Sequence, residues 1–122
     1  MSQVLIAIVD DEESVRDATK RLVRSLGYHA STFASADEFL KSEQIHDTSC
    51  LISDVQMPGL SGIDLQEHLV ARGHCIPIIF MTGYPSDSVR ARAVKAGAVC
   101  FLNKPFSEDH FIGCIEKALK AA

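Results

Sequence analysis

The chain has 122 residues, 47% hydrophobic and 23% charged, enough for one domain around one core and unlike disordered, collagenous or coiled-coil chains. Twelve Lys and Arg against sixteen Asp and Glu give a formal charge of -4. No basic run could follow a phosphate backbone or an anionic leaflet, so direct nucleic-acid binding is not expected.

Residues 4–9, Val-Leu-Ile-Ala-Ile-Val, form a continuous branched apolar run, the pattern of a strand covered on both faces. The run meets four consecutive acids far short of the ~18 residues that a membrane span needs. Met1-Ser2-Gln3 carries no cationic leader segment, so a cytoplasmic location is expected. From Ser14 the period turns helical: Val15, Ala18, Leu22, Val23 and Leu26 share one stripe, and Gly27 is the stop. Residues 28–33 read as a second strand, and Ser35-Ala36-Asp37-Glu38 as a capping box opening a helix that ends near Ser42.

Residues 50–54 are the third strand, and the proline and glycines of 57–62 force a loop after it. A third helix is predicted from Gly62 to Arg72, ended by Gly73. A fourth strand follows over 76–82 with Pro77 at its entry. Pro85-Ser86 opens a helix carrying Val89, Ala93 and Val94 and closed by Gly97. Residues 98–102 are a fifth strand, Lys104-Pro105 a turn, and Ser107 the cap of a last helix with the stripe Phe111, Ile112, Ile115, Ala118 and Leu119. The alternation is (βα)5. It predicts an α/β fold, an open parallel five-stranded sheet with right-handed crossovers and helices on both faces.

Cys50, Cys75, Cys100 and Cys114 are widely spaced and offer no C-x-x-C pair, so buried reduced thiols and no disulfide are expected. His29, His46, His68, His74 and His110 never stand four apart, which removes the simplest helical metal pair.

Open parallel sheets bind ligands beyond the carboxyl ends of their strands. At those ends stand Asp10-Asp11, Asp54, Thr82 and, just past the fifth strand, Lys104. The acids 10–13 also suit the positive end of the first helix. Asp54, by contrast, leaves a buried strand beside other carboxylates. Two unit charges about 4 Å apart repel by roughly 4 kcal/mol at an effective dielectric of 20, so three acids need a cation. All-oxygen ligands imply Mg2+. A carboxylate, a hard cation, an ammonium and a hydroxyl are the parts that move a phosphoryl group. Neither a P-loop nor a G-x-G-x-x-G segment is present.

Four segments carry a resemblance: Val9-Asp10-Asp11-Glu12, residues 54–62 (DVQMPGLSG), Met81-Thr82-Gly83 and residues 101–106 (FLNKPF). In this order, at strand ends, they resemble the CheY-like receiver domain of two-component response regulators, most of all the FixJ type, over essentially the whole chain. The resemblance implies a sheet order of 2-1-3-4-5 and one receiver domain over 1–122, with no output domain in this chain. It implies a phosphoacceptor at Asp54 and Mg2+ held by Asp11, Asp54 and the backbone carbonyl of Gln56, with Asp10 acting mainly through water. Lys104 would pair with a phosphate oxygen, Thr82 would move toward the phosphoryl group, and Phe101 would rotate inward behind it. A cis Lys104-Pro105 bond is also implied.

A sensor histidine kinase would be the phosphoryl donor. A homodimer through the fourth helix, fifth strand and fifth helix, involving Val89, Arg90, Ala93, Val94 and Phe101, would follow phosphorylation. Output would pass to transcription through a DNA-binding domain, and the chain would catalyse its own phosphorylation and slow dephosphorylation without turning over an external substrate. Phe101 stands where tyrosine is frequent, so its inward state would rely on apolar burial. Gln56 and Tyr84 occupy positions that influence the access of water to the phosphoaspartate. Three other readings fit less well. A haloacid-dehalogenase-like phosphatase would carry D-x-D after the first strand, a flavodoxin-like module would not line its phosphate loop with acids, and a degenerate receiver would not retain all five polar groups.

Overall fold

The computed structural model describes residues 3–121. Five strands form one parallel sheet: β1 (Leu5–Val9), β2 (His29–Phe33), β3 (Cys50–Asp54), β4 (Ile78–Thr82) and β5 (Cys100–Asn103). Their order is β2-β1-β3-β4-β5. Between and after them run α1 (Glu13–Ser25), α2 (Ala36–Lys41), α3 (Gly62–Ala71), α4 (Asp87–Lys95) and α5 (Glu108–Ala121). Among the described residues no helix is long and apolar enough to cross a membrane.

Strand side chains alternate between two cores because the period is two. Ala7, Val9, Leu51, Ile78 and Phe80 face α2, α3 and α4, where Phe39, Leu65, Leu69 and Ala93 meet them. Ile6, Ile8, Ile52, Ile79, Met81 and Leu102 face α1 and α5, against Val23, Phe111, Ile115 and Ala118. Both faces of β1, β3 and β4 are therefore dry, which is why these strands read as unbroken apolar runs.

Several local expectations shift. A short 3-10 turn over Glu43–Asp47 follows α2, burying Ile45. On α1 the buried stripe takes Thr19 in place of Ala18, which is exposed. The Thr19 hydroxyl donates to the Val15 carbonyl at 2.7 Å, so it enters the core satisfied. Ser35 caps α2 through the Glu38 N–H without the reciprocal bond, whereas Ser61 and Asp64 form a full capping box on α3. Ser86 and Ser107 cap α4 and α5 as expected.

Of the cysteines, Cys50 and Cys114 are buried, Cys100 is half-buried and Cys75 is exposed in the loop after α3. All four are free thiols. Burial pushes Cys50 and Cys114 up to about 12, so both are neutral thiols packed as small hydrophobes.

Candidate functional site

Strand register brings the polar groups together. Val9 is opposite Ser53 on neighbouring β1 and β3, which sets Asp10 beside Asp54 at the carboxyl edge. Asp54 is opposite Met81, so Thr82 stands one step further along β4. Thr82 is opposite Asn103, and the Lys104 N–H donates to the Thr82 carbonyl at 2.7 Å. Lys104 thus begins at the fourth strand's far side, and its side chain crosses β4 and β3 to the acids.

The ammonium lies 3.2 Å from Asp10 Oδ2 and 3.5 Å from Asp54 Oδ1. Carboxylate oxygens of Asp10, Asp11 and Asp54 all fall within 4.8 Å of one another. Their exposures differ sharply: Asp10 is 0% and Asp54 5% exposed, whereas Asp11 faces solvent. Both oxygens of Asp10 are already engaged, Oδ1 by the Glu12 N–H at 2.9 Å and Oδ2 by Lys104. The Asp10 carbonyl accepts from Arg16 Nη1 at 2.7 Å, tying the end of β1 to the first turn of α1.

Burial pushes the Asp54 carboxyl up to about 6, against the pull of Lys104 downward and with the neighbouring Asp10 charge adding to the rise. For Lys104, burial acts downward, but the carboxylates of Asp10 and Asp54 outweigh it and the net shift is upward. Lys104 is therefore a fixed cation, while burial works against the charged form of Asp54.

Asp11, Glu12, Asp54, Gln56, Gly83, Tyr84 and Lys104 line an open crevice of about 350 Å³. Thr82 is at its wall, 1% exposed, with its hydroxyl donating to Gln56 Oε1 at 2.9 Å and accepting from the Tyr84 N–H at 3.0 Å. Tyr84 is 77% exposed. Phe101, half-buried, packs beside Phe80 with ring centroids 5.8 Å apart, behind this wall. The Lys104-Pro105 peptide bond is cis.

Three residues to which the sequence analysis gave no role also shape the site. The Glu12 N–H on Asp10 is an Asx-type local bond, a signal present in Asp10-Asp11-Glu12. Arg16 reads on the helix as one more surface cation. Gly62 opens α3 as expected, and what the sequence does not show is that it abuts the Asp54 carbonyl.

An oxygen-only donor set of three clustered carboxylates, two of them reaching the crevice, fits a hard divalent cation and not zinc or copper. A sequence profile described as "Response regulator receiver domain" matches residues 6–116. The chain belongs to this receiver family.

Receiver domains are signalling domains, and they bind Mg2+ in an acidic pocket of this kind. This receiver is 44% identical over 118 residues to the response regulator protein TodT of Pseudomonas putida, covering 97% of the chain and 52% of TodT. It is 38% identical over 117 residues to the transcriptional regulatory protein FixJ of Bradyrhizobium diazoefficiens, covering 96% and 57% respectively. Among solved structures, FixJ-N superposes with a TM-score of 0.88 at 34% identity, covering 100% of this chain and 98% of that one. The response regulator StyR superposes with a TM-score of 0.91 at 41% identity, covering 98% and 60%. The receiver spans about half the length of TodT and little more than half of FixJ.

Proposed function

We propose that the chain, as one receiver domain over 1–122, is a cytoplasmic phosphorylation switch in which Asp54 accepts a phosphoryl group from the phosphohistidine of a sensor kinase. The observation that carries this reading is the pairing of a buried Asp54 with the Lys104 ammonium 3.5 Å away at an open crevice. A carboxylate oxygen of Asp54 attacks phosphorus, the bond to the imidazole nitrogen breaks, and the nitrogen leaves with its electron pair. Lys104 balances charge on a phosphoryl oxygen as it does on the carboxylates.

Asp11, Asp54 and the Gln56 main-chain carbonyl would hold Mg2+, which when bound supplies positive charge to the equatorial oxygens. Asp10, with both oxygens already bonded, acts from behind: it orients Lys104 and would act on a bound ion mainly through water. The chain catalyses its own phosphorylation and slow hydrolysis, with Gln56 and the exposed Tyr84 screening the acyl phosphate from water. Asp54 phosphorylation draws Thr82 toward the phosphoryl group, and Phe101 follows inward.

The signal leaves through α4, β5 and α5 to a homodimer and a DNA-binding output. Half-buried Val89 and Phe101, exposed Arg90 and Val94, 55% exposed, support that face; Ala93 is fully buried and serves the core instead. Incubation with Mg2+ and acetyl phosphate, followed by intact mass measurement, tests the reading. A gain of one phosphoryl group is expected in the wild type and not in Asp54→Asn; a gain that persists in the variant would refute it.

A further inference from the structure

We propose that the side-chain amide of Gln56 is a latch on Thr82, holding the hydroxyl away from the phosphoacceptor until the acyl phosphate forms. The inference rests on the reading of Asp54 as that acceptor. It starts from one hydrogen atom. The Thr82 hydroxyl carries a single proton, and that proton is donated to Gln56 Oε1 at 2.9 Å. A Thr82 bonded in this way has nothing to donate to a phosphoryl oxygen on Asp54.

The direction of this bond follows from its neighbours. Thr82 Oγ1 already accepts the Tyr84 N–H at 3.0 Å. An amide turned the other way would give Oγ1 a second donor and leave the hydroxyl proton orphaned in a side chain only 1% exposed. With the amide oxygen toward Thr82, every polar atom of that hydroxyl is satisfied. The resting rotamer is therefore pinned twice, from the loop after β3 and from the loop after β4.

Gln56 and Asp54 line the same crevice. Phosphorylation therefore sets a charged acceptor in competition with a neutral amide for one proton. Charge-assisted hydrogen bonds are roughly twice as strong as neutral ones, so the exchange runs toward the phosphoryl oxygen only after Asp54 is phosphorylated. That difference between the two states is what a population shift requires. When Thr82 turns, the Tyr84 N–H loses its acceptor, and the Gly83-Tyr84 segment is released in the same step. Gln56 is thus a positioning residue that acts through Thr82 and sets the weight of the resting state.

Titration of the whole chain with beryllofluoride in Mg2+, read by nuclear magnetic resonance on the Tyr84 amide, tests the latch. Gln56→Met keeps the length of the side chain and removes the acceptor. Its half-saturating beryllofluoride concentration is expected to fall by about two- to tenfold, the equivalent of one lost net hydrogen bond. In the free variant the Tyr84 amide signal is expected to move along the line toward its bound position. Gln56→Glu, which retains an oxygen acceptor, should leave that signal at the wild-type position. In a Thr82→Val background, Gln56→Met should change the half-saturation no further. An unchanged half-saturation in Gln56→Met, or the same gain without the Thr82 hydroxyl, overturns the latch and leaves the Asp54 reading standing. A wild-type chain that takes up no beryllofluoride overturns the Asp54 reading, and the latch with it.

Discussion

The space that a β-carbon on Gly62 would need is filled by the main-chain carbonyl oxygen of Asp54. The Phe80 ring closes the other side at 3.1 Å, and the Gly62 N–H donates to the Val55 carbonyl at 2.9 Å. The first residue of α3 is therefore docked on the backbone that carries Asp54, the proposed phosphoacceptor. Its φ is not in the left-handed region, so the requirement is room and not backbone freedom. The carbonyl is backbone and the Phe80 ring is fully buried, so neither has free space to yield into.

Gly62→Ala is expected to destabilise the fold by about 1–3 kcal/mol, as overpacking does, and to displace Asp54. Urea unfolding reads the first effect and acetyl phosphate labelling of the folded fraction reads the second. Unchanged stability and unchanged labelling would show that the contact relaxes freely.

The raised Asp54 acid gives a pH dependence of definite sign. Its folded value, about 6, exceeds the ordinary 3.8. The folded state therefore binds this proton more tightly than the unfolded state does. The stability contributed by the protonated form is complete below about pH 4 and is lost as pH rises through about 6. In metal-free buffer, Asp54→Asn should match the wild type below pH 4 and exceed it in melting temperature by a few degrees above pH 6. Mg2+ should narrow that gap, since it stabilises only the charged form. A gap that is constant with pH would remove burial of the Asp54 charge as its cause.

Lys104 lies between two carboxylates, one of them fully buried. Lys104→Met should lower stability by about 1–3 kcal/mol, less than a fully enclosed pair because the crevice is open. Phosphoryl uptake should fall as well. Added Mg2+ should restore much of the stability and little of the uptake, because charge balance and the proposed phosphate contact are separate roles. Thermal melts with and without the ion separate them.

For the proposed output face, Val94→Glu is expected to leave folding and labelling intact, since Val94 is 55% exposed, while abolishing any beryllofluoride-induced shift to a dimer on size exclusion. A dimer that survives the substitution would place the contact elsewhere.

How far the sequence could be read depended on what each residue had to satisfy. Residues 4–9, 50–54 and 76–82 announced themselves because β1, β3 and β4 are covered on both faces, and their carboxyl ends delivered Asp10, Asp54 and Thr82 as a set. The 3-10 turn Glu43–Asp47 gave no comparable signal, having one apolar residue, Ile45, among polar ones. Thr19 was passed over for Ala18 because hydropathy does not register a hydroxyl bonded to its own helix. The reach of Lys104 to Asp10, 94 residues away, depends on strand order and register. The Gln56–Thr82 bond is likewise tertiary, since nothing local in either loop encodes it.

The identity of the phosphorylated residue is the most direct test. An acyl phosphate formed with acetyl phosphate and Mg2+ can be reduced with tritiated borohydride, which leaves the label on the side chain that carried it. Peptide mapping should then find the label at Asp54 alone. Label at Asp10 or Asp11, or on a residue outside the crevice, would contradict the assignment.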